Sequence, residues 1–310
     1  MTMEWAGIAI RFALYLDLML ACGLAAFALT APAGTARVMP MRAVLVACGC
    51  LGLAISAVGL LVVTASMSGT SVAQVDRETL TMIVDETPYG AAWTIRMVAL
   101  VLAVGSASTV RGTVSARVRT AASAAAFALA VATLAWGGHG AMSEGALGAL
   151  HLGADILHLL AAALWMGSLL GLVLLVARPA ARMDAGHLDL SWRALHGFSR
   201  AGTASVAIIV VTGIVNGWLV LGPDGLSGLT STLYSQLLLA KLAAFVAMVA
   251  LASLNRFRLT PALGSVASSG AARREIGALR LSLAFEAALG IAVLALVAWL
   301  GTLEPVAAAG

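Results

Sequence analysis

The stretch from Gly148 to Ala177 reads GALHLGADILHLLAAALWMGSLLGLVLLVA and decides the fold class. At about 1.5 Å per residue it is long enough to cross the roughly 30 Å hydrocarbon core of a bilayer as one helix. Its first half carries His151, Asp155 and His158. At about 100° per residue these side chains point within roughly 60° of one another and share one face. Ionisable side chains inside a membrane span are costly and usually face a bundle interior or cavity, so function is expected on this face.

Composition extends the membrane assignment to the whole chain. Hydrophobic residues make up 61% of the sequence and charged residues 10%, with a mean hydropathy of +1.01. Soluble domains have about 25% charged residues. Apolar runs of membrane-spanning length occur at 5–30, 43–66, 91–110, 119–138, 149–177, 199–221, 233–254 and 278–302. We therefore predict an all-α polytopic membrane protein, a bundle of eight transmembrane helices.

The placement of arginine predicts how this bundle is oriented, because cytoplasmic loops retain Lys and Arg. The first, third, fifth and seventh connections between runs contain nearly all the loop arginines, whereas the others are acidic or neutral apart from Arg77. Both termini are therefore expected to face the periplasm, and the fifth run then begins at the outer surface. The basic loops also account for the pI of 9.4 without a nucleic-acid partner.

An internal repeat divides the sequence into two halves. The segment Thr87–Arg96 (TPYGAAWTIR) aligns with Thr232–Lys241 (TLYSQLLLAK), and each places a tyrosine seven residues before a cation. We predict one transmembrane domain, 1–310, built as a four-plus-four parallel repeat with halves 1–138 and 139–310. Substrate sites in such proteins tend to lie between the halves.

Five further charged residues lie within the apolar runs away from the first and last few positions: Arg11, Asp17, Arg96, Lys241 and Glu286. The three cations lie within about two turns of the outer surface and could snorkel there, which is the alternative to an interior role. The two carboxylates lie deeper and have short side chains. They are expected to pair with a cation, accept hydrogen bonds or be protonated.

Two imidazoles and a carboxylate at spacings of four and three suit a metal site, because neutral imidazole binds copper, zinc, iron and nickel. His151 and His158 lie about 10 Å apart along the helix axis, so they cannot both chelate one ion and are better interpreted as successive sites. Asp155 either shares an ion with His151 or orients a ligating histidine. The expected ligand from outside the helix is His139, which has a glycine on each side, and Met142 adds a thioether suited to Cu(I).

The three cysteines, Cys22, Cys48 and Cys50, all fall in the first two runs, so a disulfide framework is not expected. The simplest interpretation is that they are small apolar residues. A thiolate metal site near the cytoplasmic side is the alternative. Because Cys48 and Cys50 diverge by about 160° on a helix, their spacing does not favour that alternative.

The segments that carry these residues resemble the copper-resistance protein D (CopD) family. They are Trp136-Gly-Gly-His139, His151-Leu-Gly-Ala-Asp155-Ile-Leu-His158, Ala163-Leu-Trp165-Met-Gly167, Phe198-Ser-Arg200, Thr212-Gly213-Ile-Val-Asn216, Tyr234 with Lys241, Asn255-Arg256, Glu286 and Glu304-Pro305. The likeness covers nearly the whole chain and is weakest in the first helices. One departure is Tyr234-Ser235, where the family usually has Tyr-Gly.

The resemblance implies an inner-membrane protein that moves copper, as Cu(I) or Cu(II), from periplasm to cytoplasm or handles it at that membrane. It also implies a periplasmic copper-binding partner of the CopC type, and it makes His139, His151, Asp155 and His158 the metal-associated positions. Lys241 and Glu286 match further family positions. The sequence contains neither an Asp-Lys-Thr-Gly motif nor a phosphate-binding glycine-rich loop, so we expect neither ATP-driven pumping by this chain nor an enzyme.

Other partners and functions stay open. Membrane lipid surrounds the bundle, and glycines four residues apart, such as Gly167 and Gly171, fit either a homo-oligomer or internal packing. A haem-binding electron carrier is one alternative function. It needs imidazoles from facing helices, whereas His139 is the one histidine outside both the fifth run and the cytoplasmic connection. A non-transporting copper delivery or assembly protein is the other alternative. His187 and His196 lie in that connection and are expected to be solvated.

Overall fold

The computed structural model describes residues 2–109, 115–138, 145–179, 184–221, 232–265 and 269–303, and the regular structure in these ranges is helical. The α-helices are α1 (Thr2–Thr30), α2 (Thr35–Val38), α3 (Met41–Ser68), α4 (Arg77–Glu86), α5 (Pro88–Ser108), α6 (Ala116–Ala132), α7 (Gly145–Val176), α8 (Ala185–Leu221), α9 (Leu233–Leu254), α10 (Thr260–Ser265) and α11 (Ser269–Leu300). Two 3₁₀ segments, Val72–Gln74 and Thr133–Gly137, and one π-helical segment, Asn255–Leu259, complete them.

Eight of these helical stretches are long and apolar enough to cross a membrane. The spans are Glu4–Thr30, Met41–Ser68, Pro88–Ser108, Ala116–Gly137, Gly145–Val176, Ala185–Val220, Leu233–Gly264 and Arg274–Leu300. The predicted all-α architecture with eight candidate transmembrane helices is thus confirmed. The four-plus-four repeat, the division at residue 138 and the periplasmic position of both termini stay predictions.

The two segments that align in the sequence begin their helices in the same way. Thr87 precedes α5, and its side chain accepts a hydrogen bond from the Gly90 amide. Thr232 precedes α9, and its side chain accepts from the Ser235 amide. Each hydroxyl satisfies one of the amide groups that a helix N-terminus leaves unpaired. These caps fix where both helices start.

Helix α1 packs against α3, α6, α7 and α11 and lies at the centre of the bundle. Its closest neighbour is α7, because glycines face each other where the two helices cross. A Cβ on Gly23 would lie 2.8 Å from the Gly167 Cα, and one on Gly167 would lie 2.5 Å from the Gly23 Cα. Small residues let helix backbones approach in membranes. Gly167 therefore serves packing within the chain, one of the two roles that its spacing left open.

Helix α8 begins well before the apolar run that predicts it. Its first turns carry His187, which is buried and whose Nε2 lies 2.9 Å from the Leu175 carbonyl oxygen. The expectation of a solvated His187 is wrong, because α8 continues beyond the apolar run and packs its first turns against the end of α7. His196 is exposed, as expected, and stacks on Trp192.

Candidate functional site

A cavity of about 600 Å³ lies between α1, α7, α8, α9 and α11. Apolar residues form most of its wall. The polar side chains on it are Arg11, Tyr15, His151, Asp155, His158, Asn216, Tyr234 and Lys241. The structure thus brings the predicted face of His151, Asp155 and His158 to one cavity between helices.

Position along each helix gives the cavity two ends. One end contains Arg11 of α1, His151 of α7 and Gly301 after α11. The opposite end lies several turns further along the same helices, at Trp165 of α7 and Gly290 of α11. We call these the Arg11 end and the Trp165 end. By the predicted orientation, the Arg11 end is the periplasmic one.

His158 is oriented by a hydrogen bond to Thr212 of α8. Its Nδ1 lies 2.9 Å from the Thr212 Oγ1. The Thr212 hydroxyl has one proton, which it donates to the Ile208 carbonyl 2.6 Å away. This arrangement favours the neutral tautomer in which Nδ1–H donates to Thr212 and Nε2 keeps its lone pair. This is the usual second contact of a metal-binding histidine, since it fixes the tautomer and the orientation of the ring.

Asp155 lies one turn before His158 and contacts two other elements. Asn216 of α8 donates from Nδ2 to the Asp155 Oδ1 at 3.3 Å. A Cβ on Gly138 would lie 3.5 Å from the Asp155 Oδ2. Gly138, the last described residue before His139, therefore lies beside this carboxylate. His139 and Met142 themselves lie outside the described residues.

Lys241 reaches the cavity from α9, on the wall opposite α7. It interacts electrostatically with Asp155 and with His158. Lys241 lines the cavity, as an interior role for this cation requires. Its charge offsets that of Asp155 and opposes a metal cation bound near His158.

Arg11 makes backbone contacts at the Arg11 end of the cavity. Its Nη1 donates to the Gly301 carbonyl at 2.6 Å, and its Nη2 donates to the Gly137 carbonyl at 2.9 Å. These two carbonyls lie at helix ends, where the helix leaves them unpaired. Arg11 therefore joins the start of α1 to the ends of the fourth and eighth spans.

Glu286 lies just beyond the Trp165 end of the cavity and is almost fully buried. Its Oε1 accepts from the Trp165 Nε1 at 2.9 Å, and its Oε2 accepts from the Asn255 Nδ2 at 3.0 Å. This is the hydrogen-bonded state that the sequence offered as one of three for this carboxylate. Asn255 begins the π-helical segment, a distortion that often accompanies functional positions.

Like Glu286, two more of the predicted polar residues do not contribute to the cavity wall. Arg96 is buried and donates from Nε to the Thr133 Oγ1 at 3.0 Å. Asp17 is buried beside Cys48, and its Oδ2 has no hydrogen-bond partner among the described residues. Both lie in the first half of the chain.

The cysteines do not assemble a metal site in the part of the chain that is described. Cys22 is buried, Cys48 is partly buried and Cys50 is exposed on the apolar surface. Across the described ranges, no three His, Cys, Asp or Glu side chains are close enough to hold one ion together. A site in the cavity therefore needs a ligand of another type or from another segment.

Two residues of α8 support the α7 face, although the sequence placed them only within a segment that resembles the CopD family and predicted no role for them. Thr212 and Asn216 are four residues apart in an apolar run, so they share a face and contact His158 and Asp155 respectively. Polar residues at a spacing of four in a span were the signal that could have found them. Tyr15, four residues after Arg11 on α1, follows the same pattern.

Comparisons with known proteins identify the family of the chain. Residues 1–149 match the family model of the copper resistance protein D-like N-terminal domain, and residues 192–300 match that of copper resistance protein D. Copper resistance protein D of Pseudomonas syringae pv. tomato is 41% identical over 308 residues, 98% of each chain. The inner membrane protein YebZ of Escherichia coli (strain K12) is 30% identical over 302 residues, 96% of this chain and 98% of that one.

A shorter match covers the copper transport protein CutJ of Bacillus subtilis (strain 168). It is 33% identical over 106 residues, which is 34% of this chain and 18% of CutJ. No solved structure matches the chain significantly.

Proposed function

This chain belongs to the copper resistance protein D family, and from that premise we propose that it takes up copper across the bacterial inner membrane through the cavity on α7. Two relatives named for copper resistance and copper transport support a copper-related membrane function. The observation that carries the proposal is the pair of His151 and His158 on one cavity wall. The Thr212 contact leaves a metal-binding nitrogen on the second of them.

In this proposal copper is the substrate and enters at the Arg11 end. His151 and Asp155 form the first site, completed by His139 and Met142 from the adjacent connection. His158 forms the second site, two helical turns further along. Because neutral imidazoles bind the ion without a net charge of their own, the ion can move on between them.

The driving force in this proposal is electrical and chemical. A membrane potential that is negative inside favours entry of a cation by about 2.3 kcal/mol per charge per 100 mV. The chain therefore acts as a transport protein and not as an enzyme, and it needs no nucleotide. Copper arrives from a periplasmic copper-binding protein of the CopC type, docked at the Arg11 end. A homo-oligomer in the lipid bilayer stays a prediction.

Two other functions compete with transport. A haem carrier needs two facing imidazoles, but the described histidines on the cavity wall both come from α7, two turns apart. A visible spectrum of the purified protein tests this, since haem gives a Soret band. A copper delivery protein would bind the ion without carrying it across.

Sealed vesicles separate transport from delivery. Vesicles that contain the parent protein should accumulate external copper, and H151A and H158A should reduce that accumulation to the level of empty vesicles. The matched control is H196A, which removes an exposed histidine far from the cavity. If H151A and H158A accumulate copper like the parent, the proposed site is wrong. If the parent binds copper but does not load vesicles, delivery is the better function.

A further inference from the structure

The Trp165 end of the cavity is closed by methionines from three different helices. Met19 of α1, Met166 of α7 and Met248 of α9 all line the cavity. Each is the residue of its helix that lies furthest from the Arg11 end on the cavity wall. All three side chains are at most 6% exposed. We call the part of the wall formed by these three residues the floor of the cavity. It contains thioether sulfurs as well as hydrocarbon.

Gly290 of α11 provides the space in which these side chains meet. A Cβ at this position would lie 2.6 Å from the Met166 Cε and 3.3 Å from the Met248 Cε, and closer still to the Met166 Sδ. The ends of two methionines therefore occupy the volume that any other residue would fill. Met19 reaches the same floor because α1 and α7 cross one turn away, at Gly23 and Gly167.

The floor lies between His158 and Glu286 along the helices. Met166 lies eight residues after His158 on α7, about 12 Å further along the axis. Glu286 lies one turn before Gly290 on α11, on the far side of the floor, and accepts a hydrogen bond from Trp165, the neighbour of Met166. The methionines therefore stand between the second imidazole and the buried carboxylate.

We propose that Met19, Met166 and Met248 form a thioether site for Cu(I), the third site on the path through the cavity. This inference rests on the proposed function and specifies its substrate as the monovalent ion. Thioethers are neutral, soft ligands that select Cu(I) over hard or divalent ions. Methionine also fills irregular gaps in apolar cores, and simple packing is the competing explanation. Leucine keeps most of that packing and removes the sulfur, so substitution separates the two.

The test uses the full chain labelled with selenomethionine, loaded anaerobically with one Cu(I) per protein and measured by X-ray absorption at the copper edge. Selenium neighbours of copper report methionine ligands and cannot be confused with cysteine sulfur. The parent should show three selenium neighbours in the first shell of copper, and M166L/M248L should reduce them to the one supplied by Met19. The matched control is M97L, which removes a partly buried methionine of α5 outside the cavity and should change nothing.

Several outcomes would overturn the site. An undiminished number of selenium neighbours in M166L/M248L would place the methionine ligands elsewhere, for instance at Met142. A parent that holds Cu(I) with nitrogen neighbours alone would also overturn it. If the double variant does not remain monodisperse, the single variants M166L and M248L replace it. Each should remove one selenium neighbour of copper. If neither removes a selenium neighbour, the site is refuted.

The same samples distinguish this failure from failure of the proposed function. A parent that loads vesicles with copper but shows no selenium neighbour contradicts the methionine site and leaves transport intact. A parent that neither binds Cu(I) nor loads vesicles contradicts the proposed function and the methionine site together.

Discussion

The hydrogen bond between His158 and Thr212 allows a sharp test of how the cavity binds metal. T212V keeps the shape of the side chain and removes the oxygen that accepts the Nδ1 proton. The neutral ring then either leaves a buried N–H unpaired, at a cost of about 1–3 kcal/mol, or moves its proton to Nε2. In the second case the nitrogen that binds copper no longer has a free lone pair.

We expect T212V to weaken copper binding about 10- to 100-fold, the usual effect of removing the partner that orients a metal-binding histidine. This corresponds to about 1.4–2.7 kcal/mol. Copper affinity would be measured by competition with a chelator of known affinity. The matched control is T120V, because the Thr120 hydroxyl also donates to the carbonyl four residues before it, in α6, and has no histidine partner.

The effect of T212V should depend on whether His158 is present. T212V should have no further effect in H158A, since the hydrogen bond is then already lost. Parent-like affinity of T212V, or an equal loss of affinity with and without His158, would refute the tautomer and the role assigned to it.

Three further predictions concern pH, packing and charge. Copper uptake should fall once the external pH is low enough to protonate the cavity histidines, because protonated imidazole does not bind metal. Uptake rates from pH 8 to 4 check this, and a flat profile contradicts it. G167V should destabilise the protein by about 1–3 kcal/mol, because the added carbons meet α1 at Gly23. The control is G153V on the same helix, where the added carbons enter open space. Thermal unfolding in detergent compares the two variants, and equal melting temperatures would contradict the prediction. K241M should tighten copper binding about tenfold, since a like charge in the cavity costs on the order of 1–4 kcal/mol. Competition with a chelator measures the affinity, and weaker binding would contradict the repulsion between Lys241 and the bound ion.

Periodicity and hydropathy were sufficient to predict the eight spans and the α7 face. Both follow from local geometry, because helical spacing alone places His151, Asp155 and His158 together. The same rule predicted that His151 and His158 are too far apart to share one ion. Helix ends were less predictable. Hydropathy detects the part of a helix inside the membrane, so the early start of α8 and the burial of His187 were missed.

Contacts between distant parts of the chain could not be predicted from one sequence. Arg11 bonds to the carbonyl of Gly301, 290 residues away, and nothing in the spacing of either residue indicates the other. The methionines are a second case, because Met19, Met166 and Met248 look like ordinary apolar residues of their helices. Only the packing of α1, α7, α9 and α11 brings them to one floor.

Copper entry into nucleotide-free vesicles under an imposed potential tests the central claim most directly. With the parent protein, uptake should rise when the vesicle interior is made negative and should fall when the potential is reversed. In H158A it should stay at the level of empty vesicles under both conditions. Uptake by H158A at the parent rate, or parent uptake that appears only when ATP is added, would contradict a potential-driven path for copper along the α7 face.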